Sequence, residues 1–328
     1  MNKPLIAALA LALPLGLVAA PAQADDDHDD DHPRPSSYVL DGDPTDEFGS
    51  KFEGIGVTRS QKTFYVSEVT GGEIHRGDVR TGETEVWKDE GADGRTTARG
   101  ITTDRQGRVY IAGGPNGIGN DQPDLWVYSR HGELLAAIQL DVDDAFLNDV
   151  AIGPDGAAYF TNSNEPQIFR VAKEHGTWSA TLWADAGDTI DVEIESGGIF
   201  NLGGIVVSPG RGALIVAQGN TGQLWRFDLR TTEATPIDIG EADLTNADGL
   251  VLRGHTLWVV RNFAHVLTTM RISHRTSVAR LISERMTDPD RVFTTAKIAR
   301  GRLLLVDSKF DEQVAEPPYE VVAMKLRP

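Results

Sequence analysis

The 328-residue sequence contains no cysteine. Disulfide bonds and thiolate metal sites are therefore excluded, because both require a cysteine sulfur. The fold has to be stabilised by the burial of apolar side chains, without covalent cross-links. A chain of this length is large enough to bury such a core.

Long apolar runs are absent except at the N-terminus. Residues 1–24 contain one lysine, an apolar stretch from Leu5 to Ala20 that Pro14 interrupts, and then the letters AQA. This pattern is typical of a secretory signal peptide and predicts a mature chain that begins near Asp25. A membrane anchor is the competing interpretation, but the stretch is short for a span and contains a proline. We therefore expect an exported protein, periplasmic or secreted, without a membrane partner.

Positive charge is scarce. The chain has 31 lysine and arginine residues against 49 aspartate and glutamate residues, a formal net charge of −18. The segment DDDHDDDH at 25–32 supplies −6 of it. This balance argues against nucleic acid and anionic lipid as partners. We expect residues 25–36 to form a disordered acidic leader, with weak metal binding by its aspartates, His28 and His32 as the alternative.

The sequence also lacks the signals of a serine hydrolase. There is no G-x-S-x-G motif, and Ser67 and Ser163 lie on predicted strands or turns without a histidine in the same repeat position. His75, His255 and His265 fall on predicted second or third strands or their turns, so we expect them to be packing or surface residues.

One unit of about 45 residues occurs six times. Each copy has a β-rich apolar segment, a turn with glycine or asparagine, a second segment that ends in arginine or aspartate, and usually a third. Alternation such as LWRFDL has the two-residue period of a strand. Repeats of this length with several short strands are typical of propeller blades. The copies begin at Phe64, Val109, Ala158, Leu214, Leu257 and Leu303.

Each copy is preceded by one further apolar segment, which we predict to be the innermost strand of its blade. The last copy lacks an outermost strand, and the segment SYVLDG at 37–42 has the right size to supply it. Such closure would remove the open sheet edges. The sequence therefore predicts an all-β, six-bladed β-propeller with four-stranded blades over residues 37–328, closed by an N-terminal strand. We expect a monomer.

Inner strands of a propeller run along its axis, so the residues at their beginnings converge on one end of the channel. Glu53, Asn148 and Asp248 are such residues, and Asn201 points the same way if strand alternation holds. Their oxygen ligands suit calcium, whereas zinc or copper would require histidine or cysteine. The alternative is that these side chains only close the preceding turns. The six predicted first residues are Glu53, Arg99, Asn148, Gly203, Asp248 and Thr295.

Four short motifs resemble the family of senescence marker protein, gluconolactonase and related lactonases. The resemblance implies a six-bladed propeller with one divalent cation, usually calcium, in the channel. Glu53, Asn148 and Asp248 match the metal ligands of that family, and Asp248 is also the usual candidate for activating water. The motifs are FEGIGV at 52–57, FLNDVAIGPDGAAYFTNS at 146–163, FNLGGIVVSPG at 200–210 and NADGLVLRG at 246–254.

The sequence departs from the family at two positions. The family has Asn-Gly where this chain has Gly203-Gly204, so Asn201 is a ligand only if the strand begins differently. Gluconolactonases place a sugar-binding arginine at the position of Phe146. Sugar lactones are therefore not the expected substrates.

Two functions remain open. The first is a cation-dependent hydrolase of lactones or related esters acting on a small molecule, in which the ion polarises the carbonyl and Asp248 or Glu53 moves the proton. In that case Arg99 and Asp149 are the candidate substrate-binding residues, although Arg99 has an alternative role as the ion-pair partner of Glu53. The second is a non-catalytic exported propeller that binds a small ligand or a protein partner on its axial face.

Overall fold

The computed structural model describes residues 34–114, 122–143, 145–191 and 201–326. The predicted signal peptide and most of the predicted acidic leader lie outside these residues. The regular secondary structure of the described part consists of β-strands and one 3-10 turn at Ala92–Gly94. Within it, no helix is both long and apolar enough to cross a membrane.

Twenty-four strands form six antiparallel four-stranded sheets, which are the blades. The first strand of each blade contacts the first strands of both neighbouring blades, so these strands form a closed ring around the axis. The first strands are β2 (Phe52–Val57), β6 (Ile101–Thr103), β10 (Leu147–Ile152), β14 (Leu202–Val207), β18 (Ala247–Arg253) and β22 (Phe293–Ala299). The second strands are β3 (Thr63–Glu68), β7 (Val109–Ala112), β11 (Ala158–Asn162), β15 (Ala213–Gln218), β19 (Thr256–Arg261) and β23 (Arg302–Asp307).

The two outer strands of each blade complete the sheet. The third strands are β4 (Ile74–Asp78), β8 (Leu125–Tyr128), β12 (Gln167–Glu174), β16 (Gln223–Asp228), β20 (Val266–Ile272) and β24 (Tyr319–Lys325). The outermost strands are β5 (Thr84–Lys88), β9 (Leu134–Ile138), β13 (Thr177–Asp185), β17 (Ala234–Pro236), β21 (Ala279–Met286) and β1 (Ser37–Leu40).

The predicted closure is confirmed. Strand β1 pairs antiparallel with β24, from Ser37 opposite Val322 to Leu40 opposite Tyr319. The six-bladed, four-stranded architecture is also as predicted. Attachment to the last blade begins before β1, since the backbone N–H of Ala323 donates to the carbonyl of Ser36 at 2.8 Å.

The hydrophobic core is divided among the spaces between blades. Six clusters of buried apolar side chains are found in the described residues, one between each pair of adjacent blades. The cluster at the closure joins Tyr38 of β1, Phe64 of β3 and Leu304 of β23. Because every blade buries both faces against its neighbours, the ring holds the inner strands in fixed positions around the channel.

Candidate metal and catalytic site

Five of the six inner strands carry a β-bulge after their first paired residue. In β2, Phe52 pairs with Glu68 and the next regular pair is Ile55 with Val66, so two residues of β2 lie opposite one residue of β3. A bulge of this kind bends the strand and redirects the side chains beside it. Four of the candidate site residues, Glu53, Asn148, Asp149 and Asp248, lie in these bulges.

The strand registers define which residues are equivalent in the six blades. Thr294 takes the place for which Thr295 was predicted, because β22 pairs Ala296 with Leu305 as β2 pairs Ile55 with Val66. Thr295, the predicted residue, is the next residue of β22, and it lines the cavity described below. The equivalent residues are Glu53, Arg99, Asn148, Gly203, Asp248 and Thr294.

Three of the predicted ligands come together at one end of the channel. Glu53, Asn148 and Asp248 come from three different blades and line the same small cavity. The Oδ1 atoms of Asn148 and Asp248 lie 3.7 and 3.8 Å from the point that a Cβ on Gly203 would occupy. The two oxygens therefore face a common point. The lining residues are Glu53, Gly54, Gly100, Asn148, Asp149, Asp248, Gly249 and Thr295.

Glu53 is buried beside a buried arginine. Its Oε2 lies 3.8 Å from Nε of Arg99, and the Arg99 guanidinium lies 4.0 Å from the centre of the Phe146 ring. Burial raises the pKa of Glu53 well above its usual value; Arg99 opposes this rise, and the negative charges of Asp248 and Asp149 add to it. Burial lowers the pKa of Arg99 to about 10. Arg99 therefore has the position expected of an ion-pair partner of Glu53. Arg99 is not among the described residues that line the cavity.

Asp248 is partly buried at the cavity wall and is oriented by a neighbour in its own blade. Nδ2 of Asn262 donates to its Oδ2 at 2.9 Å. Burial raises the pKa of Asp248 to about 7; the Asn262 hydrogen bond opposes the rise and the charge of Asp149 adds to it. The Oδ1 atom of Asp248 is the one that faces the common point beside Gly203.

Asp149 joins two blades. Its Oδ1 accepts the backbone N–H of Val150 at 2.8 Å, and its Oδ2 accepts that of Ile205 in the next blade at 3.2 Å. Asp149 also lines the cavity. Asp149 therefore links β10 to β14 by hydrogen bonds and also lies next to the predicted ligands.

Asn201 does not join the donor set, contrary to the sequence-based expectation. Its Nδ2 donates to the Ser163 carbonyl at 3.1 Å, and its Oδ1 accepts Nδ2 of Asn220 at 3.1 Å. It is not among the described residues that line the cavity. The physical reason is the bulge, which gives the site-facing position in this blade to Gly203.

Hydroxyl groups that the sequence analysis did not identify hold the site residues in place. Ser67 donates to the carbonyl of Arg99 in the next blade. Thr161 donates to the carbonyl of Gly203 and Thr294 to that of Glu53, each at 2.8 Å. These side chains fix the backbone of the next blade at the site. A serine or threonine near the end of the second strand, in VSE and FTN, was the available signal.

Residues 52–277, more than half of the chain, match the family model of the SMP-30/gluconolactonase/LRE-like region. The protein therefore belongs to this family. No match was found among curated proteins.

Solved structures show the same architecture at low sequence identity. The Malassezia sympodialis allergen Mala s 1 is 16% identical with a TM-score of 0.62, over 89% of this chain and 96% of that one. The calcium-binding protein regucalcin from Agrobacterium tumefaciens is 17% identical with a TM-score of 0.60, over 90% and 96%. A gluconolactonase from Xanthomonas campestris is 16% identical with a TM-score of 0.59, over 89% and 98%. At these identities the likeness establishes the fold alone.

Proposed function

We propose that this protein is an exported hydrolase of lactones or related esters that uses one calcium ion in its channel. The observation that carries the proposal is the convergence of Glu53, Asn148 and Asp248, from three blades, on one cavity. Membership of the SMP-30/gluconolactonase/LRE-like family supports it. We further propose a small-molecule substrate, a monomeric chain and a periplasmic or secreted location.

The donor set fits calcium. It consists of two carboxylates and one amide oxygen, and calcium prefers six to eight oxygen ligands, so positions remain for water and substrate. Glu53 is buried and Asp248 is partly buried at the cavity, and the pKa of each is raised. A divalent cation would compensate the charge that burial penalises. When bound, it would polarise a substrate carbonyl as a Lewis acid.

The residues of this chain would supply the remaining chemistry. Asp248 would accept a proton from the attacking water, because its Oδ1 faces the common point beside Gly203 and a carboxylate can act as a general base. The amide of Asn262 orients that carboxylate through the hydrogen bond to Oδ2. Glu53 is the second candidate for moving the proton. Phe146 packs against the Arg99 guanidinium and its side chain carries no charge or hydrogen-bonding group, so we propose substrates less polar than sugar lactones.

A non-catalytic binding module is the second candidate function. Two observations favour it. Gly203 places no donor beside Asn148 and Asp248, and Arg99 is already engaged by Glu53 and Phe146. A propeller with an incomplete donor set can bind a small ligand at the channel end without turning it over.

A substrate panel with and without chelator separates the two functions. The purified protein would be assayed on aliphatic and aromatic lactones, aryl esters and phosphotriesters, with calcium or with EGTA. The hydrolase predicts turnover that EGTA removes and a melting temperature that calcium raises, since a ligand at 100 times its Kd adds about 2.7 kcal/mol of stability. Calcium-independent stability without turnover on the whole panel would support the binding module.

Replacing Gly203 with asparagine is expected to tighten calcium binding by about tenfold or more, because an additional oxygen ligand raises affinity. The site has room: the nearest atoms to a Cβ at Gly203 are at 3.7 Å or beyond. Isothermal titration with calcium measures the change.

Gly212→Asn is the matched control. A Cβ at Gly212 meets nothing within 4 Å, so this substitution should leave calcium affinity unchanged. Equal affinities of Gly203→Asn and the parent would show that position 203 does not face the ion.

A further inference from the structure

Blade 1 contains a second group of metal-ligating side chains, one strand outward from the cavity. Glu68 ends β3, Glu73 lies in the following turn, and His75 lies in β4. One ligand atom from each residue lies within 4.8 Å of the others. Glu68 is in register with Phe52, the residue before Glu53. We call these three residues, Glu68, Glu73 and His75, the blade-1 cluster.

His75 is fully buried and its imidazole lacks hydrogen bonds. Among the described residues, neither Nδ1 nor Nε2 has a hydrogen-bond partner. Nε2 lies 3.3 Å from Oε2 of Glu73, which is ion-pair distance without hydrogen-bond alignment. The ring packs edge-on against Phe52 with 5.0 Å between ring centres. Buried polar atoms are normally satisfied, so a ring nitrogen held beside two carboxylates points to a missing ligand.

The spacing fits a metal ion. Two ligands at about 2.0 to 2.1 Å from a tetrahedral zinc lie roughly 3.4 Å apart, close to the 3.3 Å between His75 and Glu73. Glu68 is oriented by Thr70, whose hydroxyl donates to its Oε1 at 2.8 Å; such hydrogen bonds commonly orient metal ligands. Glu73 is partly exposed and gives the cluster access to solvent.

The charge balance also favours a cation. In the described part of the chain, no lysine or arginine forms an ion pair with Glu68 or Glu73. Two carboxylates beside a buried imidazole form a site whose negative charge a divalent ion would neutralise.

We propose that the blade-1 cluster binds a divalent transition metal, with zinc as its ion. An imidazole ligand favours zinc and related metals over calcium, so this site differs in chemistry from the all-oxygen donor set at the axis. Bound metal would join the end of β3, the turn and β4, and would stabilise blade 1 beside the channel. The proposal does not depend on the proposed hydrolase function.

The test uses the full chain with His28→Ala and His32→Ala as background, which removes the leader histidines as zinc ligands. After treatment with a chelator, zinc alone is titrated, bound metal is counted by mass spectrometry, and the melting temperature is recorded. We expect Glu73→Gln to weaken zinc binding by at least about tenfold and to abolish the zinc-dependent rise in melting temperature. Cobalt in place of zinc should give visible absorption bands that Glu73→Gln alters.

Two controls make the result decisive. Glu83→Gln changes an exposed glutamate of the same blade and should bind zinc as the background protein does. Asp248→Asn, at the axis, should also retain the zinc-dependent rise. The proposal is overturned if the background protein takes up no zinc, if Glu73→Gln binds it unchanged, or if only Asp248→Asn abolishes uptake. His75→Gln, checked for folding by its thermal unfolding curve, should repeat the effect of Glu73→Gln.

Discussion

Replacing Asp248 with asparagine is expected to lower ester or lactone turnover by about 100- to 1,000-fold, in the range of a lost general base. It should also remove the calcium-dependent rise in melting temperature, because the carboxylate that faces the ion becomes neutral. In chelator the variant should be at least as stable as the parent. Burial raises the pKa of Asp248 to about 7, and an amide carries no charge to desolvate. Steady-state kinetics and thermal unfolding with calcium or EGTA measure both effects.

Asp311→Asn is the control, since it makes the same change in net charge at an exposed position. It should leave turnover and calcium response unchanged. Retention of the parent's calcium-dependent stabilisation and turnover by Asp248→Asn would remove this residue from the site. Loss of turnover with calcium binding intact would assign Asp248 to proton transfer alone.

Replacing Tyr38 with alanine is expected to reduce the free energy of unfolding by about 4 kcal/mol, as for other large buried aromatic side chains. Tyr38 is fully buried at the junction between the last and first blades. Its ring packs edge-on against Phe64 at 4.9 Å. Its hydroxyl donates to the Val79 carbonyl at 2.9 Å and accepts from Arg302 at 2.7 Å. Chemical denaturation measures the loss.

Val39→Ala tests the same strand at its exposed face. Val39 is 58% exposed, so Val39→Ala should change the free energy of unfolding by no more than about 0.5 kcal/mol. If Tyr38→Ala is no more destabilising than Val39→Ala, β1 does not contribute to closing the ring.

The fold was predictable because all six blades have the same pattern of buried apolar residues. Each repeat has to bury both faces of its sheet, so the period-2 pattern recurs at blade spacing and defines the strands. The closure by residues 37–40 also followed from the sequence, since the last repeat lacks a strand that SYVL supplies. Helical periodicity was absent from the repeats, and the described residues contain only one 3-10 turn.

The site was only partly predictable because it depends on bulges. Glu53, Asn148 and Asp248 line one cavity, as the blade alignment indicated. Whether Asn201 or Gly203 faces the site depends on the register of β14, in which a bulge follows the pair of Leu202 with Gln218. The sequence pattern does not encode that register. For the same reason Thr294 is the residue equivalent to Glu53, although Thr295 is the one that lines the cavity. His75 was expected to be a packing or surface residue; its burial beside two carboxylates depends on the pairing of β3 with β4.

Diffraction from crystals grown with calcium, compared with crystals grown in EGTA, tests the central claim most directly. The account predicts one ion at the channel end, at about 2.3 to 2.6 Å from oxygens of Glu53, Asn148 and Asp248, and its absence in EGTA. Saturating calcium that leaves only water between these side chains, or carboxylates that turn away from the axis, would contradict it.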